Sequence, residues 1–255
     1  MLWKNIFYGP ILSRRLGFSL GVNLLPDKKK ICSFDCIYCE CGLNDNSTPK
    51  EALPTFEDYK DVIYSCLNEN KSKNQKIDHI TFSGNGEPTL HPEFDRIIDH
   101  TILMREQFYP ETKIAVLTNS TNLHIQKIFD SLKKVDVPLC KLDAGSEETY
   151  QLIDSPVSKK TLNDITKSLI KFNGNIIIQT IFLKGNINNK TIDNTSEREL
   201  NLYIDRLKRI NPKKVVIYRV DRRPPFSSII KLSEEELKSI SEFISKFGFN
   251  VEYYA

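Results

Sequence analysis

The chain has 255 residues, 40% of them hydrophobic and 27% charged, and its 36 basic and 33 acidic side chains leave a net charge of +3. That length supports one large domain or two small ones with a sizeable core. So balanced a charge does not by itself argue for a nucleic-acid partner, and no stretch approaches the ~20 consecutive apolar residues that span a bilayer.

Residues 1–10 carry neither a basic leader with an apolar run nor a small-residue cleavage site, so the expected compartment is the cytoplasm. Residues 7–17 are rich in turn formers and include the paired Arg14 and Arg15; residues 1–18 read as a short N-terminal extension. A strand is expected over 19–25, ended by Pro26-Asp27. It leads to Cys32-Ser33-Phe34-Asp35-Cys36-Ile37-Tyr38-Cys39, in which three thiols are spaced C-x3-C-x2-C on one short loop. Thiolates this close can share a metal centre, yet three do not complete a four-donor structural zinc site or an ordinary four-cysteine cluster. An open coordination position belongs to a working cofactor. Cys41 makes a four-thiol zinc knot formally possible, although a C-x-C pair is cramped around one tetrahedral ion. Disulfides are not expected without a secretory signal. Cys66 and Cys140 lie in apolar-periodic segments and read as small buried side chains.

Beyond a polar stretch over 45–54, Tyr59, Val62, Ile63, Cys66 and Leu67 recur at helical spacing within 56–70. Strands and helices then alternate. Strands are expected over 79–83, 114–118, 135–142, 175–182 and 214–219, with helices over 91–105, 123–133, 147–153, 162–172, 196–210 and 233–247. Residues 250–254 read as a short closing strand and 187–198 as a polar loop. Repeated β-then-α units with near-continuous apolar strands predict a parallel sheet covered by helices, either doubly wound or barrel-like. A single domain over 1–255 is expected, with 233–254 as its C-terminal helix and strand. In both architectures ligands gather beyond the carboxyl ends of the strands.

Those ends carry the chemistry. Gly84-Asn85-Gly86-Glu87 lets the backbone approach a ligand and offers a carboxylate to an ammonium; it also suits a tight turn that caps the next helix. Thr118-Asn119-Ser120 supplies short polar groups for a ligand or a cap. Lys141 and Asp143 flank Leu142 and so share a strand face, which points to a barrel interior because a charge pair facing helices is costly. The alternative there is an internal salt bridge. Gln179 is a further inward polar group in an otherwise apolar strand. Arg219, Arg222 and Arg223, with Arg14 and Arg15, suit phosphate or carboxylate recognition, and solvated surface charge explains them equally. His79, His91, His100 and His124 show no ligand spacing and read as structural or surface residues.

The cysteine motif with an aromatic before its last cysteine resembles the radical S-adenosylmethionine (SAM) superfamily. Phe-Tyr-Gly-Pro…Ser-Arg-Arg-Leu-Gly, Ser-Gly-Asn-Gly-Glu-Pro-Thr-Leu-His-Pro, Leu-Thr-Asn-Ser, Lys-Leu-Asp-Ala and Arg-Arg-Pro-Pro resemble its short iron–sulfur oxidoreductases, a branch grouped with the wyosine-type tRNA-modifying synthases. The resemblance implies an α/β fold, a partial (β/α)6 barrel with parallel strands. It implies Cys32, Cys36 and Cys39 as ligands of a 4Fe-4S cluster whose open iron binds SAM. Reductive cleavage of SAM then yields a 5′-deoxyadenosyl radical that abstracts hydrogen from substrate. SAM contacts are implied for Tyr38 (against the adenine), Gly84, Asn85, Gly86, Glu87, Asn119, Lys141, Asp143 and Gln179. Asn85 departs from the superfamily's Gly-Gly-Glu turn. Substrate contacts are assigned to Arg14, Arg15, Arg222 and Arg223. The expected partners are an electron donor such as flavodoxin or ferredoxin and a substrate that is a small molecule, a protein or tRNA. A tRNA-modifying enzyme is one alternative, although no second cysteine triplet precedes Cys32; a non-catalytic zinc- or cluster-binding module is the other.

Overall fold

A strand that is apolar along its whole length must be covered on both faces, and helices do the covering in two compact units. The structure, a computed structural model, describes residues 2–45, 51–187, 189–221 and 225–255.

The first unit draws on Met1–Cys32, Asn44–Thr118 and Asn122–Pro138. Here β1 (Phe7–Ser13) and β2 (Gly17–Val22) form an antiparallel hairpin. Parallel pairing then runs from β2 to β3 (His79–Phe82) and from β3 to β4 (Lys113–Thr118), with Leu20, Ile80 and Ile114 in register and buried. Three helices accompany them, α1 (Phe56–Ser72), α2 (Phe94–Phe108) and α3 (Gln126–Lys134). Helix α1 starts where Thr55 and Asp58 exchange side-chain and backbone hydrogen bonds, a capping box. It buries Tyr59, Ile63 and Leu67 one turn apart, and the Tyr59 hydroxyl meets Thr101 Oγ1 at 2.7 Å. Strand β1 occupies a stretch the sequence presents as turn-rich. Gly9 and Pro10 stand where the register shifts between Tyr8 and Ile11, so the strand runs through an irregularity that reads as a break.

The second unit draws on Ser33–Leu43, Asn119–Thr121 and Leu139–Ala255. Successive parallel neighbours are β5 (Val137–Lys141), β6 (Ile177–Phe182), β9 (Lys214–Arg219) and β11 (Val251–Tyr254). All of β6 is buried. The helices are α4 (Glu147–Ile153), α5 (Leu162–Ile170), α6 (Glu197–Ile210) and α7 (Glu234–Ser245); α6 closes at Asn211, which adopts a left-handed φ of 51°.

The expected polar loop over 187–198 is corrected by a small antiparallel sheet. Strand β7 (Lys184–Ile187) pairs with β8 (Lys190–Asp193) on one side and with β10 (Ile229–Ile230) on the other. Only Ile192 of β8 is a buried apolar residue, so no alternation announces the strand. Asn194 fastens this region instead. Its Nδ2 donates to Asp143 O (2.9 Å) and Ile181 O (2.7 Å), and its Oδ1 accepts from Leu183 N–H (2.9 Å). No helix among the described residues is long and apolar enough to cross a membrane.

Replacing Asn194 with alanine strips partners from three buried backbone groups. We expect Asn194→Ala to cost about 2–4 kcal/mol in urea unfolding of the intact chain; a loss below about 1 kcal/mol would mean that water restores those bonds.

Candidate active site

Beyond β3 the first unit turns through Gly84-Asn85-Gly86-Glu87 into a single 3-10 turn, Pro88–Leu90. The turn grips the chain just ahead of the first motif cysteine. Ile31 N–H donates to Asn85 O (2.9 Å) and Glu87 N–H donates to Ile31 O (3.0 Å). Gly86 makes that approach possible, since its φ is +143° and a Cβ there would lie 1.8 Å from Ile31 O. Cys32 N–H, in turn, donates to Asn44 Oδ1 at 2.9 Å. Asn85 is fully buried: Trp3 N–H donates to its Oδ1 (2.8 Å), and its Nδ2 donates to Trp3 O (2.8 Å) and Pro26 O (2.7 Å). Glu87 Oε1 accepts from Thr89 N–H (3.1 Å), Thr89 Oγ1 (2.6 Å) and Thr118 Oγ1 (2.8 Å).

In the second unit the rest of the cysteine loop is held by backbone and by burial. Asp35 N–H donates to Asp154 O (3.1 Å), Ile37 N–H to Ile153 O (3.0 Å) and Val157 N–H to Ser33 O (2.9 Å). The Ser33 hydroxyl sits between Asn119 Nδ2 (2.8 Å) and Thr121 Oγ1 (2.7 Å). Ile37 is buried among Ile153, Ile181, Leu183, Ile192 and Val220, an anchor worth about 1.5–3 kcal/mol. Cys39 N–H closes a turn on Cys36 O at 3.0 Å. A cavity of about 260 Å3 adjoins the loop, lined by Ile37, Leu43, Leu152, Ile187 and Phe226, with Asp35, Gln151 and Lys190 as polar groups.

At the end of β5 stands a buried charge cluster. The Lys141 ammonium pairs with Asp154 Oδ1 (2.6 Å) and Asp143 Oδ2 (3.0 Å) and donates to the Tyr38 hydroxyl (2.6 Å) and to Cys36 Sγ (2.9 Å). Tyr38 donates in turn to Asp143 Oδ2. The ammonium also lies 5.2 Å from the Phe34 ring centre and 4.8 Å from that of Tyr38, within cation–π range. Burial opposes the charge on Lys141, but Asp143, Asp154 and Cys36 outweigh it and hold its pKa well above the ordinary lysine value. Burial pushes the Asp154 carboxyl up to about 7 while Lys141 pulls it the other way. The Tyr38 hydroxyl is pushed well up, first by burial and then by Asp143.

Several candidate residues therefore meet within one unit: Cys36, Tyr38, Lys141 and Asp143 form one cluster. Asp154 joins them without any signal in the sequence, being the C-terminal cap of a short helix. Asn119 serves the cysteine loop through Ser33, while Gln179 is buried in β6 and its carbonyl accepts from Leu142 N–H at 3.1 Å. Arg14 and Arg15 lie at the β1–β2 turn, and Arg222 and Arg223 lie outside the described residues. His79 Nδ1 meets Leu16 O (2.6 Å) and His91 Nε2 meets Pro54 O (2.7 Å), both structural contacts. Cys36 and Cys140 are buried, whereas Cys66 is half-buried instead of buried, its thiol pushed up to about 11 by desolvation. Among the described residues no disulfide forms, and no three His, Cys, Asp or Glu side chains converge on a site for a single metal ion.

The sequence model of the radical SAM superfamily matches residues 29–198, a span holding the cysteine loop, the Gly84–Glu87 turn and Lys141. The chain belongs to the radical SAM superfamily. Members of this superfamily are enzymes, and so is this chain. A UPF0026 protein of Helicobacter pylori is 33% identical over 93% of this chain and 73% of its own length. Among solved radical SAM folds, a radical SAM methyltransferase from Sphaerobacter thermophilus aligns with a TM-score of 0.66 at 12% identity, over 88% of this chain and 63% of that one. Streptococcus suis SuiB bound to S-adenosylmethionine aligns with a TM-score of 0.64 at 15% identity, over 89% of this chain and 49% of that one. At such identities the likeness carries the fold, the mixed α/β radical SAM core of mostly parallel strands that the sequence led us to expect.

Gly86→Ala tests the grip on the cysteine loop. A methyl at a φ of +143° meets Ile31 O, and we expect about 2–4 kcal/mol of destabilisation together with faster hydrogen exchange at the Ile31 amide. Exchange at Ile31 unchanged from wild type would show that the turn does not hold the loop.

Proposed function

We propose that Cys32, Cys36 and Cys39 would hold a 4Fe-4S cluster and that the strand-end residues would hold SAM beside it. When bound, cluster and SAM together supply one-electron cleavage of the sulfonium, giving a 5′-deoxyadenosyl radical that takes a hydrogen atom from substrate. One observation carries this reading: Cys36 Sγ receives the Lys141 ammonium at 2.9 Å inside a buried pocket. A cation so placed favours negative charge on the sulfur, the form that binds iron. A cluster spreads its thiolates over separate irons, so its ligands need not converge as they would on one zinc ion.

The chain's own residues then have distinct tasks. The Gly84–Glu87 turn fixes Cys32 through Ile31, and Asn119 fixes the loop through Ser33. Gly84, Gly86 and Glu87 would take the amino end of SAM, Glu87 by its carboxylate, and the main chain of Asn85 continues that turn. Tyr38, Lys141, Asp143 and Gln179 would line the nucleoside and carboxylate side. The cavity beside Ile37, largely apolar with Asp35, Gln151, Ser155 and Lys190 at its polar positions, is the place for substrate. Electrons would come from a small redox protein such as flavodoxin or ferredoxin.

Anaerobic reconstitution tests the reading. Wild-type protein should turn brown with about four irons per chain and lose them in Cys36→Ala. With dithionite and SAM it should release 5′-deoxyadenosine and methionine, and the cell-extract fraction that raises this release identifies the substrate class. A colourless protein carrying one zinc would overturn the reading.

A further inference from the structure

A buried lysine usually answers to one carboxylate. Lys141 answers to two, and it still reaches a sulfur. Its nitrogen is located by three oxygens, those of Asp154 (2.6 Å), Asp143 (3.0 Å) and the Tyr38 hydroxyl (2.6 Å), none of which belongs to a cysteine. The Asp143 and Asp154 side chains are 0% and 3% exposed and that of Lys141 10%, so the position is set by packing as well as by charge. What remains is the contact to Cys36 Sγ at 2.9 Å. Two carboxylates pair with the ammonium, and the sulfur is the contact that they leave in place.

We propose that Lys141 raises the reduction potential of the cluster by donating a charge-assisted hydrogen bond to the sulfur of Cys36; this rests on the function proposed above. The physics is general. Adding one electron to an iron–sulfur cluster places more negative charge on its sulfurs, and a donor or cation beside a ligating sulfur stabilises the reduced form over the oxidised one. Low dielectric around the pair strengthens the effect. Asp154, the carboxylate paired with the same ammonium at 2.6 Å, works in the opposite sense and limits it. Lys141 is thus a positioning and tuning residue acting through Cys36.

The test compares reconstituted wild-type, Lys141→Gln, Lys141→Arg and Asp154→Asn proteins at pH 8. Each is titrated with dithionite in the presence of redox mediators, and the reduced cluster is read by its electron paramagnetic resonance signal. Lys141→Gln should move the midpoint to a more negative potential, whereas Lys141→Arg, which keeps the charge, should stay near wild type. Asp154→Asn should move it the other way, and loosening of the fold does not account for shifts of opposite sign from two buried substitutions. An unchanged midpoint in Lys141→Gln with wild-type iron content overturns the inference and leaves the proposed function standing. Wild-type protein that binds no iron overturns both. Should Lys141→Gln retain no iron, Lys141→Met, which also removes the charge, takes its place: a lowered midpoint supports the inference, and an unmoved or raised one overturns it.

Discussion

A lysine ammonium taken out of water must be repaid at once, and the way Lys141 is repaid organises the second unit around the cysteine loop. Two carboxylates from different places in the chain converge on it, Asp143 just past β5 and Asp154 at the end of α4. Each carries further structure. Asp143 Oδ1 accepts Ile181 N–H at 2.9 Å and its carbonyl accepts from Asn194, while the Asp154 carbonyl accepts Asp35 N–H at 3.1 Å. A buried ion pair seldom adds net stability over a well-packed apolar core, but removing one partner is expensive. The cluster thus specifies one arrangement of β5, α4 and the loop: any displacement of the three would strand a charge. Cys36 and Tyr38 are drawn into that arrangement because their polar atoms complete the ammonium's surroundings.

The loop also depends on contacts that carry no charge. Ile37 follows Cys36 and is buried among residues of α4, β6, β8 and Val220, so the chain between the second and third motif cysteines has an apolar anchor on one side and a polar one on the other. Tyr38 follows within the turn that Cys39 N–H closes on Cys36 O, and its hydroxyl meets the Lys141 ammonium. Ahead of the motif, the first unit supplies its own hold on Ile31 through the main chain of Asn85 and Glu87. Short loops carrying reactive cysteines can be precise only where the neighbouring residues are fixed in this way.

Much of this was legible in the sequence, for identifiable reasons. Parallel strands covered on both faces advertise themselves as apolar runs, so β3, β4, β6 and β9 fall where hydrophobicity places them. The spacing of Cys32, Cys36 and Cys39 and the flanking of Leu142 by Lys141 and Asp143 are local patterns, visible without a fold. Asp154 was invisible because its partners lie in β5 and in the cysteine loop, and nothing local marks a helix-terminal aspartate as the partner of a lysine thirteen positions earlier. β8 was invisible because a four-residue strand with one buried apolar side chain has no period to detect. β1 was hidden behind Gly9-Pro10, a pair whose local preference is a turn and whose tertiary setting is an irregular edge strand.

Asn85 shows how a departure from a family pattern can be compensated instead of merely tolerated. The superfamily's turn has glycine at this position. Here the amide is satisfied within the protein: it accepts from Trp3 N–H and donates to Trp3 O and Pro26 O. Its main chain meanwhile keeps the donor and acceptor that the turn requires, with Asn85 N–H on Asn23 Oδ1 (3.0 Å) and Asn85 O on Ile31. Trp3 stacks on Tyr8 at a centroid distance of 3.8 Å, and the Tyr8 ring covers Gly21, where a Cβ would lie 2.1 Å from it. The residue that breaks the pattern thereby ties the first strands to the segment entering the cysteine loop. Phe-Tyr-Gly-Pro near the start and Gly-Asn-Gly-Glu after β3, separate motifs in the sequence, are joined through Trp3, whose main chain holds the Asn85 side chain and whose ring stacks on Tyr8.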